Sequence, residues 1–401
     1  MTTKIPSDII LTLNTEAQEK AKQGRIILNG TIGMMYLDNG KLPVSQTIKN
    51  VLSSHTKDGD LTYSSVAGTK EYSNEIIHWF FNDSFNDVQK QGKLKTIATM
   101  GGTGACTVAI HDACVEENSV VLIPKLSWPN YDSIANIYNI KVDHYDNFDN
   151  CHFNVNALSK LIQKYQGEHK RITIIINDPC QNPTGFTMDK QDWVAFLELV
   201  EKASQNGIVS IIYDCAYIDF SSNQIKNIIT ESLIKLSQFS VIYICMSFSK
   251  TFSFYGLRIG ALGILTSDSV LTQEEYSRAI ISARTIWSTP NHMAVNVISE
   301  LLTNTRYLHM LRDEVDLNSK ILVQRAKIFF EEANLCGLIT YPYMFGFFVS
   351  IPCKDSVKTA NALREKNVYI VPINENTLRV ALSCLPTKQI FGLAKLINDN
   401  L

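Results

Sequence analysis

A lysine set among hydroxyl groups is the first chemistry visible in this sequence. Ser247-Phe248-Ser249-Lys250-Thr251 leaves an apolar run, and Arg258 stands just ahead of the next one. Apolar surroundings and a nearby cation disfavour an ammonium, and a neutral amine condenses with a carbonyl as a Schiff base. The Ser hydroxyls and the Arg258 fork are the donors a phosphate dianion requires. A lone Ser-x-x-Lys is more often a surface lysine before a structural arginine, so the neighbouring segments decide.

Three further segments resemble this one in layout, each placing polar residues just past an apolar run. Asn177-Asp178-Pro179-Cys180-Gln181-Asn182-Pro183-Thr184-Gly185 follows Ile172–Ile176, and its Pro and Gly residues force a turn that presents the Asn182 amide. Tyr213-Asp214-Cys215-Ala216-Tyr217 offers a carboxylate for a protonated ring nitrogen and a phenol for a ring oxygen; alone, Asp214 reads as a helix cap. Met100-Gly101-Gly102-Thr103-Gly104 joins a strand to a helix, where free N–H groups and missing side chains suit either a phosphate or a tight turn. Arg379, within Thr377-Leu378-Arg379-Val380-Ala381, lies in an apolar strand and needs a planar anion: an α-carboxylate or an internal carboxylate.

The elements that must position these groups follow from hydrophobic patterning. Thr96–Met100, Ser119–Pro124, Arg171–Asn177, Gly207–Asp214, Val241–Ser247 and Gly260–Leu265 read as strands, several apolar throughout as strands covered on both faces must be. Amphipathic segments Gly104–Glu117, Asn156–Gln166, Asp189–Asn206 and Glu231–Ser237 alternate with them, which predicts an α/β fold with a mostly parallel sheet wrapped by helices. A long helical tract, Asn291–Asn334, precedes strands Gly346–Pro352, Val368–Pro372 and Thr377–Ser383 and a helix over Asp355–Lys366, a smaller α+β domain. The expected division is 53–300 for the large domain, with 1–52 and 301–401 forming the N-terminal segment and the small one.

Composition removes whole function classes. Thirty-seven Lys+Arg against 39 Asp+Glu in 401 residues leave a net charge of −2, so no basic field exists for nucleic acid or an anionic membrane. The apolar runs are too short to span a bilayer, and Pro6 and Asp8 interrupt the stretch where a signal peptide needs its apolar region. Nine scattered cysteines without a Cys-x-x-Cys pair predict reduced thiols in a cytoplasmic protein, with no metal site.

The order and spacing of these motifs resemble the aspartate/aromatic branch of the class I pyridoxal-phosphate aminotransferases, from about Ile27 to about Pro386. The resemblance implies the aspartate-aminotransferase fold with a seven-stranded sheet, and a ping-pong transfer of an amino group from an aspartate-type or aromatic amino acid to a 2-oxo acid, with 2-oxoglutarate the expected acceptor. Lys250 is similar to the lysine that forms the internal aldimine and shuttles the proton. Asp214 resembles the carboxylate that keeps the pyridine nitrogen protonated, while Tyr217 and Asn182 match the pair on the ring's phenolic oxygen. Gly101, Gly102, Thr103, Ser247 and Arg258 match the phosphate ligands, and Trp128 the aromatic residue stacked on the ring. Tyr63 resembles a tyrosine that reaches the phosphate across a dimer interface, so the resemblance implies a homodimer with shared active sites. For the substrate, Arg379 matches the carboxylate arginine, Gly33 the mobile N-terminal segment, and Arg284 the arginine lent by the partner subunit to a side-chain carboxylate, which permits dicarboxylates without excluding Phe or Tyr.

This sequence also departs from that pattern. Gln181, Tyr131 and Asn177 stand where the family often carries histidines, which bears on how Asp214 is tuned, and Met34 and Met35 soften the expected substrate region. The same first set of residues serves β-elimination or α-decarboxylation. A non-catalytic sensor domain of a transcription regulator is the remaining alternative, and the near-neutral charge and the early start of the resemblance oppose it.

Overall fold

Continuous Ile and Val runs become the middle of a seven-stranded sheet. The computed structural model describes residues 9–116, 118–167 and 171–401; residues 1–8, on which the signal-peptide reading rests, lie outside it. The sheet strands are β1 (Leu94–Thr99), β2 (Val120–Pro124), β3 (Lys141–Tyr145), β4 (Arg171–Asn177), β5 (Ile208–Asp214), β6 (Val241–Ser247) and β7 (Gly260–Leu265), in the order β1-β7-β6-β5-β4-β2-β3. β7 runs antiparallel to both of its neighbours, and every other pairing is parallel. β2, β4 and β6 are buried along their whole length, as strands under helices on both faces must be.

Register then fixes which residues meet at the carboxyl edge. Asn177 lies opposite Asp214, Asp214 opposite Cys245, Ser247 opposite Gly260, and Gly260 opposite Thr99. Four chain segments far apart in sequence therefore leave the sheet side by side. One face is closed by the helices Gly101–Asp112 and Ser269–Trp287, whose Ala105, Cys106, Ala109, Ala279 and Ala283 pack with Ile97, Val121, Ile175, Ile212 and Leu262. Small side chains on those helices let them approach the sheet closely; enlarging one would overpack the layer.

Contacts divide the chain into two units. One comprises the chain up to Pro43 together with Cys180–Phe186 and Leu317–Leu401; the other comprises Val44–Pro179 and Thr187–Asp316 and contains the seven-stranded sheet. The smaller unit has an antiparallel sheet of β8 (Phe348–Pro352), β9 (Val371–Asn374) and β10 (Thr377–Ala381) in the order β8-β10-β9. Leu28–Asn29 adds a short parallel pairing with Val368–Tyr369. Its core is Phe329, Val349, Ile351, Leu363, Leu378, Val380 and their neighbours. The helix Ser356–Glu365 starts at Asp355, whose carboxylate accepts the Lys358 N–H at 2.8 Å.

Several expected boundaries move, each for a local reason. The tract 291–334 is two helices, His292–Thr303 and Thr305–Cys336, because Asn304 leaves helical geometry and its side chain caps the second helix through the N–H groups of Arg306 and Tyr307. The helix expected over 104–117 begins at Gly101 and ends at Asp112, so Gly101 and Gly102 are in its first turn. The segment read as 231–237 is the end of a longer helix, Asn223–Leu236, capped by Ser222.

Candidate active site

Within the larger unit, the residues past the strand ends converge on the carboxyl edge, the position at which open α/β sheets bind ligands. Lys250 lies in a single helical turn, Phe248–Thr251, directly after β6. Its Nζ stands 5.7 Å from the centre of the Tyr217 ring and 5.0 Å from that of Tyr255. Ser247, buried at the end of β6, caps that turn by accepting the Ser249 N–H at 3.2 Å.

Asp214 ends β5 and is buried. Its Oδ2 accepts the Tyr131 O–H at 2.6 Å and the Cys106 S–H at 3.6 Å, while Oδ1 accepts the Ala216 N–H at 3.0 Å. Burial pushes this carboxyl up from the ordinary range; the three donors and the Lys250 charge pull the other way. Tyr131 is itself fully buried, which drives its phenol well above the usual value and keeps it a proton donor. The same ring meets Trp128 edge-on at 5.3 Å, so one tyrosine braces both Asp214 and Trp128. Asn177 reaches the strand rather than the carboxylate: its Nδ2 donates to the Asp214 main-chain carbonyl at 2.9 Å.

The glycine turn and the arginine form a second cluster. Gly101 has φ +68°, and a Cβ there would stand 2.7 Å from Arg258 Nη2. A Cβ on Gly102 would come 3.0 Å from that of Ser247. Arg258, with φ +53°, is held by Nη1 bonds to Ser249 Oγ at 3.1 Å and to the Tyr255 carbonyl at 3.0 Å. A left-handed backbone at an arginine is conformationally costly, and such strain concentrates where a ligand is gripped. Together with Thr103 these groups ring the N-terminus of a twelve-residue helix, whose first N–H groups have no intrahelical acceptor.

In the smaller unit Arg379, buried in β10, donates from Nη2 to the Thr31 carbonyl at 2.6 Å and from Nη1 to Asn182 Oδ1 at 3.4 Å, with its guanidinium 4.5 Å from the centre of the Phe348 ring. Gln181 clamps the Asn182 turn by accepting from the Thr184 N–H and hydroxyl. Gly33 lies in the irregular segment before Pro43, with Met35 beside it fully buried. Tyr63 and Arg284 stand on the surface of the larger unit: Tyr63 is 87% exposed, and Arg284, at the end of a helix, donates to Ser288 Oγ at 2.6 Å. Among the described residues no disulfide joins the nine cysteines; four are buried and Cys151 is exposed.

Sequence patterning did not single out Asp219 or Thr251, and it noted Tyr131 only as a departure. Each falls within three residues of a motif residue, which was the one available signal; their partners lie far away in sequence.

A doubly wound sheet with a lysine, a buried carboxylate and a phosphate-type cradle at its carboxyl edge defines an enzyme that binds an aromatic, phosphorylated cofactor. The sequence pattern of the family "Aminotransferase class I and II" matches residues 25–397, and the chain belongs to that family. It is 26% identical over 304 residues to the aspartate aminotransferase of Pseudomonas aeruginosa, covering 75% of this chain and 73% of that one. Among solved structures, an aminotransferase from Anaerococcus prevotii superposes with a TM-score of 0.91 at 24% identity, over 99% of this chain and 97% of its own. An aromatic-amino-acid aminotransferase from Burkholderia pseudomallei, covalently bound to pyridoxal phosphate, gives a TM-score of 0.83 at 21% identity over 100% and 98%. The protein is a pyridoxal-phosphate-dependent aminotransferase-family enzyme of amino acid metabolism.

The residues present fit that cofactor. Asp214 is a buried carboxylate that burial disfavours as an anion and that a pyridinium would neutralise, and the Gly101–Arg258 cluster is a cradle that a side chain at Gly101 would fill. No helix among the described residues is long and apolar enough to cross a membrane.

Proposed function

We propose that this chain transfers the amino group of an aspartate-type or aromatic L-amino acid to a 2-oxo acid, with 2-oxoglutarate the acceptor, in two half-reactions at Lys250. The observation that carries the reading is the alignment of Lys250, Asp214 and the Gly101–Arg258 cradle at one sheet edge, three groups matched to the aldehyde, ring nitrogen and phosphate of one cofactor.

Pyridoxal phosphate, when bound, supplies an aldehyde that condenses with amines and a cationic ring that takes up the electron pair of a broken Cα–H bond. Asp214 holds the proton on the ring nitrogen, and Tyr131 keeps the carboxylate turned toward it. Tyr217 and Asn182 would donate to the ring oxygen, Trp128 would pack against the ring, and Gly101, Gly102, Thr103, Ser247 and Arg258 would hold the phosphate. Arg379 would take the substrate carboxylate with two parallel N–H donors and so fix the orientation of the amino acid. The Lys250 amine would take the proton from Cα and deliver it two bonds away, to the cofactor carbon that carried the aldehyde.

Tyr63 and Arg284 enter through a second copy of the chain, in a homodimer that shares its sites; their surface position in the single chain supports this. Arg284 then meets a side-chain carboxylate, and Gly33 lies in the segment that closes over substrate. Reduction of the holoenzyme with borohydride followed by peptide mass spectrometry tests the reading: the cofactor adduct is expected on Lys250, and an adduct elsewhere or nowhere overturns it. Loss of the cofactor's visible band with aspartate, with phenylalanine or with both then fixes the donor class.

A further inference from the structure

Asp219 has more partners than a surface turn requires. It lies in the 3-10 turn Ile218–Phe220, directly after Tyr217 and its neighbour Ile218, and it is buried. Its Oδ2 accepts the Trp79 indole N–H at 2.9 Å and the Thr251 hydroxyl at 2.8 Å, and its Oδ1 accepts Lys226 Nζ at 2.6 Å. Arg312 Nη1 stands 4.0 Å from the same oxygen, with its guanidinium stacked 3.8 Å from the centre of the Trp79 ring. Burial opposes ionisation here, but Lys226 and Arg312 outweigh it and hold the carboxyl below the usual carboxylate range.

One carboxylate oxygen thus joins two short pieces of chain. Tyr217 immediately precedes the 3-10 turn that contains Asp219, and Thr251 is the residue after Lys250. A single helical turn such as Phe248–Thr251 has little stability of its own and takes its position from what holds it. Apolar packing supplies part of that hold: Phe248 stacks on Phe252 at 5.1 Å, and Phe252 meets Trp79 edge-on at 4.9 Å. Packing alone tolerates rotation and sliding, whereas a hydrogen bond to a fixed charge is directional and stronger than a neutral one. A buried charged cluster is also a costly way to gain stability, since apolar side chains of similar volume serve as well or better. Its cost is accounted for if the cluster fixes a geometry.

We propose that Asp219 is a positioning residue that, through Thr251, sets the Lys250 turn against the turn carrying Tyr217. The inference rests on the assignment of Lys250 and Tyr217 under Proposed function and goes beyond it to the groups that aim them. Without the Thr251 bond the lysine still carries the cofactor, but its amine samples orientations away from the reacting carbon, and a small misplacement is costly in rate.

The test compares the wild-type holoenzyme with Thr251→Val, Thr251→Ser and Trp79→Phe. Val keeps the shape of Thr251 and removes only the hydroxyl, Ser restores it, and Phe at 79 removes a different donor from the same oxygen while keeping the ring contact. Thr251→Val is expected to lower kcat about tenfold, the loss of one charge-assisted hydrogen bond, with KM for the amino acid within about twofold. The pH midpoint of the bound cofactor's visible band should move in the same variant. Thr251→Ser should recover both, and Trp79→Phe should lower thermal stability without the fall in kcat. A folded Thr251→Val enzyme with wild-type kcat and pH midpoint overturns the proposal, as does Trp79→Phe losing kcat equally, since the cluster would then be a structural support only. Borohydride trapping separates the two readings: wild type without an adduct on Lys250 overturns the functional assignment and this inference together, whereas a Lys250 adduct with an unimpaired Val variant overturns this inference alone.

Discussion

The Tyr131 hydroxyl donates to Asp214 Oδ2 at 2.6 Å, across 83 positions of sequence. A phenol in this place differs from an imidazole in one respect that matters: burial and the neighbouring carboxylate raise its pKa, so it stays a neutral donor across the range in which imidazole titrates. The support given to Asp214 therefore does not change between about pH 5 and 8. Tyr131→Phe should weaken cofactor binding about 10- to 100-fold, the range for a hydrogen bond to a charged group, measured by equilibrium dialysis. Tyr131→His should add a second step to the pH profile of the cofactor's visible band between about pH 5 and 8, where imidazole titrates. A histidine variant whose profile matches that of the wild type would count against the role given to the tyrosine.

Arg379 and Arg284 are expected to fail in different ways. Arg379 is buried, with its two Nη atoms on Thr31 and Asn182 and Phe348 under its plane, a setting for a two-pronged grip. Arg379→Lys replaces the fork by a point charge and should cost about 100-fold in kcat/KM for aspartate and phenylalanine alike, because the α-carboxylate is common to both. Arg284→Ala should reduce kcat/KM for aspartate far more than for phenylalanine. Steady-state kinetics with both donors check the pair, and equal losses in Arg284→Ala would remove the assignment of that side chain.

The middle of the sheet was the most legible part of the sequence. β4, β6 and β7 have the boundaries their apolar runs predict, because strands buried on both faces are apolar through most of their length. β3 was invisible for the opposite reason: Lys141, Asp143 and His144 give an edge strand a half-solvated pattern that resembles a loop. In Asn223–Leu236 the first two turns carry Asn223, Asn227 and Thr230, polar residues with weak helix preference, and tertiary packing decides what propensity does not. The site divides the same way. Lys250, Asp214 and the glycine turn announce themselves by local residue types, whereas Asp219 and Tyr131 acquire meaning only through Trp79, Thr251 and Asp214, which topology brings to them.

Asp178, just past β4, should make stability fall as the solution becomes alkaline. Its Oδ1 accepts the Met188 N–H at 2.8 Å, yet complete burial pushes its pKa up to about 8, and nearby Asp192 adds to the shift. An unfolded aspartate titrates near about 3.9, so between roughly pH 4 and 8 the folded state binds more protons than the unfolded one. Stability therefore declines with rising pH across that window, by at most about 1.4 kcal/mol per pH unit from this group, and levels off above it. Asp178→Asn keeps the acceptor for Met188 and removes the titration. Urea denaturation at pH 5 and pH 8 should show a smaller difference in the variant, and parallel behaviour of the two proteins would refute the prediction.

Two glycines separate backbone strain from ligand binding. Gly24 and Gly101 both have positive φ, +84° and +68°, so alanine at either position should cost about 1–2 kcal/mol of stability. Their surroundings differ: nothing lies within 4 Å of a Cβ on Gly24, whereas on Gly101 it would stand 2.7 Å from Arg258 Nη2. That guanidinium is tethered to Ser249 and the Tyr255 carbonyl, so it yields only by giving up those bonds. Gly101→Ala should therefore displace the arginine from the cradle and weaken pyridoxal-phosphate binding about tenfold or more, the loss of a charge-assisted contact to the phosphate, while Gly24→Ala leaves affinity unchanged. Urea midpoints and cofactor dissociation constants for both variants decide the matter. If Gly101→Ala binds the cofactor as tightly as Gly24→Ala does, Arg258 has been wrongly placed among the phosphate ligands.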